Sequence, residues 1–302
     1  MGMVISKGRI IEAWLAAIDH LEQNGGRYRN LMLEINAADE MTFADRRVIS
    51  AVDEALRTRG ETTVLTVAGT IFPQGLYKRV GAADLAAHFL GIMASAKKRG
   101  TWGTYAMRLM SRPGREWNTV INPLAILIGK LQRAASPNGK AIVSNYELGV
   151  ADANDLASDE PVFCDVPLYS PAHDATMVRN QPCLMHLSFK LVDKTTLELT
   201  AIYRSHYYAQ RALGNFIGLR HLMNFVAAQA RVQAGRLTCI STDASLDLAS
   251  WGSAAESRAA LQRIRAVATT VDSAPASAGT ARAMTPAPHL VSGESSATHT
   301  GA

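Results

Sequence analysis

Cysteine is scarce in this chain: three residues in 302, at Cys164, Cys183 and Cys239. Thiols so few and so scattered exclude a disulfide framework and a cysteine-rich zinc site. Aromatic residues make up only 6%, and no basic run is longer than Lys97-Lys98-Arg99. Neither a stacking platform nor a basic stripe for nucleic acid is present, so nucleic acid is not an expected partner. No apolar stretch is long enough to span a bilayer and no secretory segment opens the sequence. The expectation is a cytoplasmic protein without a membrane partner. The formal net charge of +5 suits an anionic small molecule as well as a nucleic acid and decides little.

What is present is apolar residue content of 48%, ample for a sizeable core. Residues 1–270 read as one globular unit. Residues 271–302, rich in Ala, Ser, Thr, Pro and Gly, bury too little to offset the entropy of ordering and read as a disordered tail. Helical spacing marks Ser6–Gln23, Phe43–Arg59, Ala82–Lys98, Pro123–Gln132 and Asn215–Gln233. Asn30–Ile35 and Ala141–Ser144 read as strands, and Thr62–Val67 is β-rich. A long loop covers Val150–Arg179. Leu187, Phe189 and Leu191, then Leu197, Leu199, Ala201 and Tyr203, alternate with polar residues as a pair of half-buried strands. Helices and strands intermix, which predicts an α+β fold on a mixed sheet.

Three short motifs follow one another: Gln181-Pro182-Cys183, Tyr203-Arg204-Ser205-His206, and Gly214-Asn215-Phe216-Ile217-Gly218-Leu219. Cys183 enters a strand behind a proline that fixes the local backbone. Arg204 ends the neighbouring strand, a topology that can bring a guanidinium to the sulfur and lower its pKa. Taken alone, Cys183 reads first as a small buried hydrophobe. His186 reads as a sheet histidine, His206 as a residue that orients the loop after Arg204, and His221, Trp14 and Trp117 as packing residues.

The order and spacing of these motifs over residues 181–247 resemble the active-site half of thymidylate synthases, the archaeal branch above all. The resemblance implies a mixed β-sheet with helices packed on one face, and the sheets of two subunits packed face to face in a homodimer. It implies that Cys183 is the nucleophile that adds to carbon 6 of a pyrimidine nucleotide. It implies that Arg204 and Ser205 bind the phosphate, that Asn215 reads the base edge, and that 5,10-methylenetetrahydrofolate donates the one-carbon unit. Arg29, beside Arg27 after Gly25-Gly26, stands where the family has a mobile arginine loop that closes on phosphate. Pro123–Ser144 resembles the stretch that carries the arginines crossing to the partner's phosphate. Thr70-Ile71-Phe72 and Tyr105–Arg108 match further segments of the family.

Several family residues are replaced. The two crossing arginines are Gly139-Lys140, which leaves Lys140 as a point charge in place of two planar forks. The pterin-holding aspartate is Tyr207, the sugar-gripping His and Tyr are Ser245 and Asp247, and the His after the nucleophile is Leu184. Phe72 and Gly75 stand for folate-flanking tryptophans, and Glu54 for the acid–base glutamate. Because the changes gather on the sugar and folate contacts, two functions are expected. One is a pyrimidine carbon-5 transferase that methylates or hydroxymethylates. The other is a homologue with altered or lost catalysis that binds a nucleotide.

Overall fold

Along Thr196–Tyr203 every second side chain is buried, Leu197, Leu199, Ala201 and Tyr203, while those between are half-exposed. That period of two is the signature of a strand with one covered face. The computed structural model describes residues 2–96, 103–114, 119–140, 147–148 and 182–271. The expected strand at Ala141–Ser144, the loop at 150–179, Trp117, Cys164 and residues 272–302 lie outside the described residues.

Among the described residues the strands are β1 (Met3–Lys7), β2 (Arg27–Ile35), β3 (Arg112–Pro113), β4 (Val120–Ile121), β5 (Glu147–Leu148), β6 (Leu184–Val192), β7 (Thr196–Tyr203), β8 (His206–Tyr207) and β9 (Gln233–Ser245). All but β3 and β4 join one mixed sheet in the order β1-β2-β9-β7-β6-β5, with β8 extending alongside β9 beyond the end of β7. β1 with β2 and β7 with β9 are parallel; β2 with β9 and β6 with β7 are antiparallel. The fold is α+β on a mixed sheet, with helices packed against it.

Helix α1 (Ile10–Gln23) lays Trp14, Ala17, Ile18 and Leu21 on the covered face. The central helix α7 (Leu213–Ala230) is buried almost all round, as expected of a helix inside a core. Helices α2 (Phe43–Arg57), α3 (Val64–Ile71), α4 (Gln74–Ala96), α5 (Tyr105–Met110), α6 (Pro123–Ala135) and α8 (Ala254–Val271) complete the described set. Helix α4 is broken at Gly81, whose φ of 78° is a left-handed value that glycine adopts without cost. Its second half matches the expected helix at Ala82. On the opposite face of the sheet Met32, Ile240, Ile202 and His186, half-exposed among the described residues, form one row across four strands.

The β-rich stretch at Thr62–Val67 is not a strand. It opens α3, whose first turn is held by the Val64 N–H donating to Asp53 Oδ1 at 2.7 Å. Val67, Ala68 and Ile71 of that helix seat on Gly214 and Gly218 of α7. A Cβ on either glycine would meet α3 at 2.6–2.7 Å, so tertiary packing overrides β propensity here.

Candidate active site

The sulfur of Cys183 is presented at the N-terminal end of β6, beside the C-terminal end of β7. The Arg204 N–H donates to the Cys183 carbonyl at 3.0 Å, which closes that end of the antiparallel pair. The Arg204 side chain hydrogen-bonds the thiol itself. Burial pushes the thiol up, and Arg204 by charge and by that bond, with Arg211 by charge, pulls it part of the way back; the net direction is upward. Desolvation opposes the thiolate and the two cations favour it, so the site holds a poised thiol beside its own counter-charge.

Arg211 sits on the π-helical turn Tyr208–Ala212 that leads into α7. Its Nε donates to Gln210 Oε1 at 3.1 Å, and the Gln210 amide donates in turn to Glu61. The start of this turn is pinned by Asp247, whose Oδ1 accepts the Ala209 N–H at 2.9 Å. Asp247 therefore serves the backbone of the turn. Burial raises its pKa and the hydrogen bonds from the turn lower it, with burial prevailing. Glu54, the residue expected as acid–base glutamate, is exposed on α2, whereas Glu61 is the carboxylate linked through Gln210 to Arg211.

Asn215 lies about one helical turn beyond Arg211 and is buried at 7% exposure. Its Nδ2 meets His206 Nε2 at 3.0 Å, and His206 Nδ1 meets Ser241 Oγ at 2.9 Å. His206 is thus a buried base partner of Asn215, a role different from the expected orientation of the loop after Arg204. Burial brings its pKa down to about 3, so the ring is neutral. Ser205, next to Arg204, is half-buried at the end of β7.

Arg29 is exposed on β2 opposite Asp243 of β9, at the same end of the sheet as Cys183. Three strand spacings separate its strand from β6, about 14 Å. The neighbouring Arg27 ion-pairs with Asp243. Lys140 is exposed beyond α6. Three residues before it the Pro137 carbonyl accepts from Lys194 Nζ at 3.4 Å, which ties this loop to the β6–β7 turn. That turn is the far end of β6 from Cys183, and a strand of this length spans roughly 30 Å. The structure thus brings Arg204 and Arg211 to Cys183, joins Asn215 to His206, and ties the loop before Lys140 to the far end of β6.

Two contributors escaped the motif reading. Arg211 carries no motif, and only its place seven residues after Arg204 on a helix-opening turn could have signalled it. Tyr105 was visible as part of a matching segment, but its task is visible only in three dimensions: its Oη accepts the N–H of Cys183 at 2.9 Å and of Leu184 at 3.1 Å. His221 accepts from Arg220 at 2.9 Å, and Trp14 donates to the Tyr208 carbonyl at 2.9 Å. Both are packing residues, as read from the sequence.

The folate contacts fare differently. Phe72 is 1% exposed and wedged between Tyr77 and Phe225, so its ring has no free face for a pterin. Tyr207, in place of the pterin-holding aspartate, is 48% exposed and offers no carboxylate. The residues present do not fit the expected folate contacts. Among the described residues no cluster of metal-ligating side chains occurs, and no helix is long and apolar enough to cross a membrane.

No family model matches the chain. Over 141 residues it is 26% identical to a Methanosarcina acetivorans protein named "Putative thymidylate synthase". The chain is similar, at this distance, to a protein of that name. The aligned part covers 47% of this chain and 51% of that protein, so the chain spans about half the length of the curated relative it matches.

Proposed function

We propose that this chain activates carbon 5 of a pyrimidine nucleotide through a covalent Cys183 adduct, the step that one-carbon transfer to that carbon requires. The observation that carries the reading is Arg204 at Cys183: its N–H closes on the Cys183 carbonyl at 3.0 Å, and its guanidinium restrains the rise of the thiol's pKa. The thiolate forms a bond to carbon 6, and the electron pair of the 5,6 double bond moves onto carbon 5 and the 4-carbonyl. Carbon 5 then accepts an electrophile; with a proton from water the reversal exchanges its hydrogen, and no redox partner is needed. Splitting a hard substitution in this way is the purpose of nucleophilic catalysis. Arg204 and Ser205 bind the phosphate by charge-assisted bonds, and Arg29, at the same sheet end, closes over it. Because Phe72 and Tyr207 do not fit a folate, no step is assigned to 5,10-methylenetetrahydrofolate. It remains the donor to test first, on the strength of the resemblance.

The homodimer expected from the resemblance belongs to the same proposal. Among the described residues the sheet face opposite the helices, with half-exposed Met32, Ile240 and Ile202 in one row, gives a partner sheet an apolar surface to cover. Lys140, remote from its own Cys183, then serves the partner's phosphate. A second reading, a nucleotide-binding protein without turnover, is favoured by Asp247, which is committed to the Ala209 N–H and is not available to a sugar. The two separate on one experiment: nucleotide incubated with methylenetetrahydrofolate and analysed for a carbon-5 methyl or hydroxymethyl product. Product formation supports the transferase; nucleotide binding with neither product nor carbon-5 exchange supports the binding protein.

A further inference from the structure

Asn215 does not hang free in its site. Its Nδ2 points at His206 Nε2 at 3.0 Å, so the imidazole nitrogen that receives this N–H carries no proton. The proton of the neutral ring then sits on Nδ1 and is donated to Ser241 Oγ at 2.9 Å. Ser241 is fully buried, meets Tyr208 Oη at 3.1 Å and hydrogen-bonds Cys239. The ring itself is clamped: it stacks on Tyr203 at 4.0 Å and 7°, and Phe216 meets it edge-on at 5.5 Å and 82°.

We propose that His206 is a positioning residue that sets base choice, because its bond to Asn215 fixes which end of the amide faces the pyrimidine. The inference rests on the pyrimidine-nucleotide reading above and names what that site discriminates. Along the edge that an amide reads, uracil offers a donor at N3 and an acceptor at O4, while cytosine offers an acceptor at N3 and a donor at N4. An amide free to turn by half a rotation serves either base. Here the half-turn sets Asn215 Oδ1 against an unprotonated Nε2, two acceptors face to face. Relief requires the imidazole proton to move from Nδ1 to Nε2 and the Ser241 hydroxyl to reorient among His206, Tyr208 and Cys239. A buried network that must reverse as a unit holds its polarity. The site therefore takes uracil nucleotides or cytosine nucleotides, and a base of the wrong pattern leaves buried polar groups unpaired.

The test is equilibrium binding of UMP, dUMP, CMP and dCMP to the full chain and to H206F and S241A, together with ¹⁵N NMR of the His206 imidazole. The wild type should prefer one base by roughly 10-fold or more. H206F, which keeps a ring on Tyr203 but has no nitrogen, should bring the two bases to within about threefold of each other. S241A, which frees Nδ1, should fall between. The nitrogen spectrum should show protonated Nδ1 and bare Nε2. A folded H206F with the wild-type preference, or a protonated Nε2 in the wild type, overturns the inference; if H206F does not fold, the tautomer decides. Wild-type binding without base preference removes this inference alone, whereas no binding of any pyrimidine nucleotide removes the functional reading beneath it.

Discussion

The phenolic oxygen of Tyr105 accepts the backbone N–H of Cys183 at 2.9 Å, across 78 positions of sequence. The same oxygen accepts the Leu184 N–H at 3.1 Å, so one side chain fixes the main chain on both sides of the nucleophile's carbonyl. Burial pushes its pKa up to about 12, despite the two N–H bonds that pull it down, and it acts here as a neutral acceptor. Tyr105→Phe leaves two N–H groups without this partner. It should destabilise the fold by about 1–3 kcal/mol in urea unfolding and slow any reaction at Cys183. Unchanged stability would show that the clamp contributes nothing.

The charge state of Cys183 gives a second expectation. Burial raises the thiol above its ordinary value and Arg204 restrains the rise. Alkylation followed against pH should therefore show a midpoint above that of an ordinary thiol. In Arg204→Gln the midpoint should move further up, because both the charge and the hydrogen bond are lost. An unmoved midpoint would separate the two residues.

His206 links stability to acid. Its folded pKa of about 3 lies below its ordinary 6.5, so the unfolded chain takes up a proton first as pH falls. Its contribution is complete above pH 6.5 and is lost progressively toward pH 3. Between pH 7 and pH 5 the loss should reach about 2 kcal/mol. H206F should remove that part of the slope in unfolding measured across the range. His221, lowered to about 4, adds a slope of the same sign to both proteins. Equal slopes for wild type and variant would contradict the buried neutral ring.

Gly218 tests the packing that carries the site helix. A Cβ there would stand 2.7 Å from the Ala68 carbonyl and 3.0 Å from Ile71 Cβ, both in α3. Gly218→Ala should cost about 1–3 kcal/mol through forced separation of the two helices. A variant as stable as wild type in thermal unfolding would show that α3 can withdraw freely.

What the sequence made legible follows the strength of each local signal. The hairpin β6–β7 was readable because its apolar and polar residues alternate cleanly, and Cys183, Arg204 and Asn215 stood in short motifs at fixed spacing. Strand β9 was missed because α7 ends on Arg231 in a left-handed conformation, φ 59°, without the glycine that usually marks such an end. The covered side of β9 carries Cys239 and Ser241 as well as Leu237, which weakens its apolar alternation. Helix α3 was misread because Val and Thr favour strands until two glycines on α7 offer a helix a close seat. The His206–Asn215 bond was invisible for another reason: it depends on Ser241, on a strand whose register no local pattern announces.

The most direct test of the account is release of tritium from carbon-5-labelled dUMP, UMP, dCMP and CMP by the wild type and by Cys183→Ala, with and without methylenetetrahydrofolate. The account predicts release by the wild type from nucleotides of one base, and only background release by the variant. Silence across the whole panel from folded protein, or release that survives loss of the thiol, would contradict it.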